Sequence, residues 1–415
     1  MTSPTPFTSY HKRLFVLLSV ATFFEGYDFM ALTQILPELR AEMNLPPSAS
    51  GTIVAVVNAG SIAAWFLVRK ADSWGRRRVL TLTIAGYTVL TFLTAFSPNV
   101  WVFAVLQFLA RIFLLAEWAV AMVYAAEEFP ADRRGMVMGV IQAFSSLGAV
   151  VCAGVVPFLL DTTYGWRSVY LVGIFPLVLV AYARRNLQET ARFEEARGGS
   201  KRSFFDIVRG PHRNRVLAVG LIWLITYACT QNAVVFWKEF VMAERGFSAG
   251  DVGKAITLAA LLSMPLVFLS GKLLDVVGRK RGAVVIFITT SVGVFGAYTL
   301  GASVPVGAGA EAFWPLTGCL VLAVFGVSAV LPVLNAFSTE LFPTHLRGDA
   351  YAWTNNLIGR IGYVTAPLIV TFFADTHGFS AAVRPTAIFP LIALALILFL
   401  LPETANKELE ETARV

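Results

Sequence analysis

Apolar positions in this chain come in long runs, not in the alternation of a half-buried strand. Runs such as Leu14 to Leu36 and Ile388 to Leu401 recur down the sequence, and about 20 apolar residues are what a helix needs to cross roughly 30 Å of hydrocarbon. Cut at turn and charge signals, they predict twelve helices, starting near residues 14, 51, 79, 101, 135, 167, 215, 251, 282, 314, 349 and 384. The longest polar insert, about 28 residues near the middle, is too short for a soluble domain of ordinary size. The pattern predicts an all-α membrane protein with twelve transmembrane helices.

Composition sharpens this. Apolar residues make up 57% of the 415 and charged residues 14%, the mean hydropathy is +0.69, and a water-soluble enzyme is excluded. The net charge of +7 would suggest nucleic acid in a soluble protein, but here its distribution matters more. Most Lys and Arg fall in the N-tail, the C-tail and the connections 2-3, 4-5, 6-7, 8-9 and 10-11, and only Arg111 and Arg360 lie inside predicted spans. The positive-inside rule then predicts both termini in the cytoplasm, in a multi-pass protein of the plasma membrane. Cys152, Cys229 and Cys319 all sit in apolar runs, so neither a disulfide framework nor a metal site is predicted. The first run follows Lys12 and Arg13 but contains Glu25 and Asp28 and lacks a small-residue cleavage site, so it reads as a retained helix.

The two halves repeat. Asp72-Ser-Trp-Gly75-Arg76-Arg77 follows the second run and Asp275-Val-Val-Gly278-Arg279-Lys280 the eighth, 203 residues later. Glu127-Glu-Phe-Pro130 with Arg134-Gly135 follows the fourth, and Glu340-Leu-Phe-Pro343 with Arg347-Gly348 the tenth, 213 residues later. Gln188-Glu189-Thr190 with Glu194-Glu195 closes one half, and Pro402-Glu403-Thr404 with Glu410-Glu411 the other. Three signatures in the same order predict two pseudo-symmetric six-helix bundles, residues 1–185 and 215–415, joined by a basic linker over 186–214.

At these residues the chain resembles the major facilitator superfamily over nearly its whole length. The 2-3 signature is similar to that family's G-x3-D-x-x-G-R-K/R, complete from Gly271, with Val68 where the first half would carry the leading Gly. The Pro-x3-Arg-Gly loops, Gly165-Trp166-Arg167 and the closing Pro-Glu-Thr resemble the sugar and metabolite porters. Glu25-Gly26-Tyr27-Asp28 and Gly359-Arg360-Ile361-Gly362 are similar to aromatic-acid/proton symporters and organic-ion transporters. The resemblance implies a secondary active transporter working by alternating access, with spans 1, 4, 7 and 10 lining the cavity.

A charge near the bilayer centre costs at least about 2.5 to 3.5 kcal/mol, so each is retained for a reason. Asp28, Glu25, Arg111 and Glu117 fall in spans 1 and 4. Asp28 and Arg111 form either a static ion pair or a proton-coupling site, because a buried carboxylate whose Arg partner moves can change protonation near neutral pH. Glu25, or Glu117 unless it sits at the wet cytoplasmic mouth, could carry the proton instead. The glycine-rich continuation that the family carries after the span-4 Arg is replaced here by Leu115 and Glu117. Arg360 has no acidic counterpart within spans 7 to 12. Cavity water, backbone carbonyls or Asn356 one α-helical turn away could satisfy it, or it holds a substrate carboxylate in its planar fork. Trp223, Tyr227, Gln231 and Tyr363, with Asn58 and Gln142, supply aromatic and amide groups for a mixed pocket or for helix packing. Gln142 resembles the span-5 glutamine of sugar porters.

The loop signatures read as gating parts. Asp72 and Asp275 can accept backbone N–H groups at a helix N-terminus, and with Gly75, Arg76, Arg134, Gly278, Arg279 and Arg347 they can form breakable latches. No Walker sequence or H-E-x-x-H is present and all four histidines lie outside the spans, so neither an enzyme nor a cofactor is expected. The predicted partners are a small organic solute, protons and the bilayer, with no nucleic acid, for a monomer. The solute reads as an organic, aromatic or aliphatic, carboxylate; a sugar or polyol transporter and a multidrug exporter are the alternatives.

Overall fold

The computed structural model describes residues 8–129, 134–174, 178, 205–305, 310–343 and 346–405. Every predicted start coincides with a helix. In the first half these are α1 (Ser9–Glu42), α2 (Pro47–Trp74), α3 (Arg76–Thr94), α4 (Val100–Glu128), α5 (Arg134–Leu160) and α6 (Arg167–Val172). In the second they are α7 (Arg213–Val235), α8 (Ala249–Val277), α9 (Arg279–Ser303) and α10 (Ala310–Glu340). Next come α11, in the three stretches Arg347–Tyr351, Ala352–Gly359 and Arg360–Val383, and α12, a 3-10 turn Arg384–Ala387 leading into Ile388–Leu400. The described residues contain no strand. Nine candidate membrane spans are found among them, with α11 and α12 counted as one stretch Gly348–Leu400.

Local chemistry sets the boundaries. Asn99 caps α4 by accepting from the Trp101 and Val102 amides, and Ser248 caps α8 by accepting from Asp251. All six described residues with positive φ lie in turns and form three pairs across the repeat. Asn44 (φ 52) matches Gly246 (φ 72), Gly75 (φ 99) matches Gly278 (φ 102), and Gly165 (φ 53) matches Gly378 (φ 81). At ψ 147 and 157, Gly75 and Gly278 occupy a region that essentially only glycine enters.

The chain divides into two compact units, residues 1–39 with 56–201 and residues 40–55 with 202–415. In the first unit Leu14, Leu18, Tyr124, Phe129 and Ile141 belong to one buried cluster. There α1 crosses α5 with almost no separation, since a Cβ on Gly26 or Gly148 would overlap the Ser145 or Phe23 carbonyl. In the second unit α7 packs on α11 and α12, and α10 on α8 and α9. Residues 40–55 add a contact of their own: Ser48 N donates to Asp375 of α11 at 2.8 Å, while Ser50 donates to the fully buried Glu239, which lies 3.7 Å from Arg40.

Glycine also sets the α7–α11 crossing. A Cβ on Gly359 would come within 2.8 Å of the Trp223 Cβ, and one on Gly362 within 2.2 Å of the Leu224 carbonyl oxygen. Gly362→Ala is therefore expected to destabilise the second unit by roughly 1 to 3 kcal/mol through overpacking, read as a lowered thermal midpoint. An unchanged midpoint would show that α11 slides freely. The outward faces are apolar, with Phe399 86% and Val276 74% exposed, which suits lipid and not water.

Candidate functional sites in each half

In the first unit Asp28 of α1 faces Arg111 of α4, with Oδ2 3.8 Å from Nη2, and both side chains are 4% exposed. The buried Tyr87 hydroxyl lies against the same carboxylate. Arg111 also lies over the Phe29 ring at 5.9 Å, and its Nε has no protein hydrogen-bond partner. Asp28 and Arg111 thus meet in a loose ion pair walled by aromatic rings. Glu117, one or two turns along α4, is only 3% exposed and accepts from Thr83 of α3, so it is enclosed. Glu25 shares α1 with Asp28 and is half-buried, and Asn58 is buried on α2. The Gln142 side chain lies outside the described residues.

The second unit builds a different site. Arg360 lies over the Tyr363 ring at 4.4 Å and the Tyr227 ring at 5.4 Å. Those two rings meet edge to face at 5.2 Å, and Trp223 tilts against Tyr227 at 5.1 Å while its Nε1 donates to Ser338. No described carboxylate forms a salt bridge with Arg360, and its Nε is buried without a protein partner. The quadrupoles of two aromatic faces offset part of the cost of holding a guanidinium here. Gln231 is buried one turn beyond Tyr227 on α7.

One amide differs from expectation. Tyr227 donates to Asn355 at 2.9 Å, Asn355 donates to Tyr351 at 2.7 Å, and Tyr351 donates to Asn335 of α10 at 3.1 Å. Asn356, predicted beside Arg360, takes no part in this chain. The cause is that Ala352–Gly359 is π-helical. Closing turns at i+5 instead of i+4 puts Asn355 where an α-helix would put Asn356. Sequence periodicity, which assumes 3.6 residues per turn, carried no signal for this, nor for Tyr351 and Asn335.

The three repeated signatures converge in the second unit. Arg279 pairs with Glu340, its Nη2 3.0 Å from Oε1 and its Nε 3.3 Å from the same oxygen. Thr404 donates to the other Glu340 oxygen. Glu403 accepts from the Arg279 and Lys280 amides at the start of α9, each at 2.9 Å, and from the Thr404 and Ala405 amides. A Cβ on Gly278 would lie 3.1 Å from that carboxylate, so space as well as φ favours glycine at this position. Burial alone would raise the Glu403 carboxyl, but the amides of Ala405, Lys280, Arg279 and Thr404 outweigh it and hold the pKa below the ordinary range. Glu403 thus supplies a helix-capping carboxylate at the start of α9, and Glu340 is a partner of the signature arginine. The side chains of Asp72, Asp275, Arg134 and Arg347 and the signature at 188–195 lie outside the described residues. Arg76, the first-half counterpart of Arg279, donates to the Ala71 carbonyl.

A family model described as Major Facilitator Superfamily matches residues 18–367 and, separately, 224–414. The chain is 24% identical over 384 residues to the sialic acid transporter NanX of Escherichia coli (strain K12), covering 91% of each. It is 26% identical over 387 residues to the cis,cis-muconate transport protein of Acinetobacter baylyi (strain ATCC 33305 / BD413 / ADP1), covering 88% of each. Among solved structures, that of a D-xylose-proton symporter superposes with a TM-score of 0.78 at 18% identity, over 96% of this chain and 100% of the other. Duplicated turns, duplicated loop signatures and a family match over most of the chain agree: this is a multi-pass membrane transporter, not an enzyme, and it belongs to the Major Facilitator Superfamily.

Proposed function

We propose that the chain moves a small organic carboxylate with protons by alternating access, Arg360 holding the carboxylate and Asp28 carrying the proton. The observation that carries this reading is the Arg360 guanidinium, laid over Tyr227 and Tyr363 with no acidic side chain paired to it among the described residues. A bidentate carboxylate satisfies such a fork, and flanking rings favour a planar or apolar body. Relatives named for sialic acid and muconate support an acid as cargo. The setting is the plasma membrane with both termini cytoplasmic, which the distribution of Lys and Arg supports.

A sugar or polyol is the second reading, favoured by the hydroxyl and amide chain Tyr227–Asn355–Tyr351–Asn335. A thermal-shift screen on purified protein separates the two. Under the first reading carboxylates raise the midpoint and their neutral amides and alcohols do not; stabilisation by sugars alone reverses the order.

The Glu403–Arg279–Glu340 cluster acts as the latch that must open in each cycle. Glu403→Gln is expected to loosen the first turn of α9 by about 1 kcal/mol, the usual worth of a helix cap, read as faster amide exchange at Arg279 and Lys280. Acid should do the same. A carboxylate whose folded pKa is depressed stabilises above its unfolded pKa, and that contribution fades as pH falls through the lower folded value. Exchange that is unaltered by the substitution and by acidification would remove Glu403 from the latch.

A further inference from the structure

The π-helical stretch Ala352–Gly359 lies between the two functional clusters of the second unit. On its C-terminal side Gly359 and Gly362 bring the chain so close to Trp223 and Leu224 of α7 that a Cβ on either would clash. On its N-terminal side the chain runs back through Arg347–Tyr351 to the end of α10, where Glu340 holds Arg279. Nothing in the sequence of the stretch, Ala-Trp-Thr-Asn-Asn-Leu-Ile-Gly, forbids an α-helix, since it has no proline and its one glycine is terminal. What favours the π register is tertiary: the bonds of Asn355 to Tyr227 and of Tyr351 to Asn335, linked by the local bond of Asn355 to Tyr351.

Two asparagines stand side by side, and the register decides which one faces the site. Reversion to α-helix steps the N-terminal part by one residue, a rotation of about 100° and a rise of about 1.5 Å. Asn355 then leaves Tyr227, Tyr351 leaves Asn335, and Asn356 enters at the place Asn355 held. Either register presents an amide, so the exchange leaves no site unfilled. We propose that Ala352–Gly359 is a two-register switch, in which a π-to-α change replaces Asn355 by Asn356 beside Tyr227 and Arg360. The rotation falls on the N-terminal stretch of α11, Arg347–Tyr351.

The switch deepens the reading of Arg360 as a carboxylate anchor, yet it can be tested with no substrate at all. Spin labels on Leu217→Cys of α7 and Gly348→Cys of α11 would report the separation, in full-length protein with Cys152, Cys229 and Cys319 replaced by Ala. Leu217 is 47% exposed, and a side chain at 348 meets nothing within 4 Å. The unmodified stretch should give two separations by pulsed electron resonance in nanodiscs. Deleting Asn356 leaves Asn355 four residues from Arg360 and freezes the present arrangement as a plain α-helix, so one separation should remain. If that variant does not fold, Asn355→Ala and Asn356→Ala should move the populations in opposite directions, the first away from the π register and the second toward it. One separation common to the parent and these variants would overturn the switch. It would leave the carboxylate reading untouched, since that is decided by ligand binding.

Discussion

Arg360→Ala is expected to weaken binding of a carboxylate substrate by roughly 10- to 150-fold, because charge-assisted bonds to a carboxylate are worth about 1.5 to 3 kcal/mol. Arg360→Lys should recover only part of this. Lysine keeps the charge but loses the planar fork, and with it both the bidentate contact and the stacking on Tyr363 at 4.4 Å. The measurement is equilibrium binding of the substrate and of its neutral amide, to the parent and to Arg360→Ala. A charged site predicts that the parent discriminates between them and the variant does not. Equal losses on removing the carboxylate in both proteins would make Arg360 a packing residue and move the sugar or polyol reading ahead.

Asp28→Asn should abolish concentrative uptake driven by a pH gradient while leaving counterflow, which moves no net proton, largely intact. The geometry gives a second signature. At 3.8 Å the Asp28–Arg111 pair is loose and both side chains are almost fully enclosed. Removing only the carboxylate leaves a buried, uncompensated guanidinium, a change that in buried pairs costs about 3 to 5 kcal/mol. Asp28→Asn with Arg111→Gln should therefore be more stable than Asp28→Asn alone, though equally unable to concentrate substrate. A static pair predicts that the double variant regains uptake. Proteoliposomes that still accumulate substrate with Asp28→Asn and Glu25→Gln would displace the proton from α1 altogether.

The helices were legible because the signals that make them are local. Run lengths, the Asn99 and Ser248 caps and the glycines ending each turn lie within a few residues of what they determine. Asp28 and Arg111 were legible because an embedded charge stands out against an apolar helix, and Arg360 for the same reason. What escaped depends on contacts between distant segments. Glu340 and Glu403 stood inside signatures already visible, but nothing in one dimension shows that they meet at Arg279 across 61 and 124 residues. Glu117 shows its enclosure only once Thr83 of α3 is beside it. Asn355 was passed over for its neighbour because the turn that selects it is π-helical.

The paired turns at Asn44 and Gly246, Gly75 and Gly278, and Gly165 and Gly378 bear on how such a chain drifts. A lipid-facing position accepts any of several apolar side chains, so duplicated helices lose their likeness quickly while remaining good helices. A turn in left-handed or glycine-only backbone has one or two acceptable residues, and its record is erased only when the turn itself is lost. Ancestry in a duplicated membrane protein is thus written mainly in its corners. Aligning two halves on their glycine turns, ahead of their spans, recovers equivalent positions that hydropathy alone blurs. On that alignment Asp28 falls opposite Thr230 and Arg360 opposite Leu147: neither charge was kept in both copies.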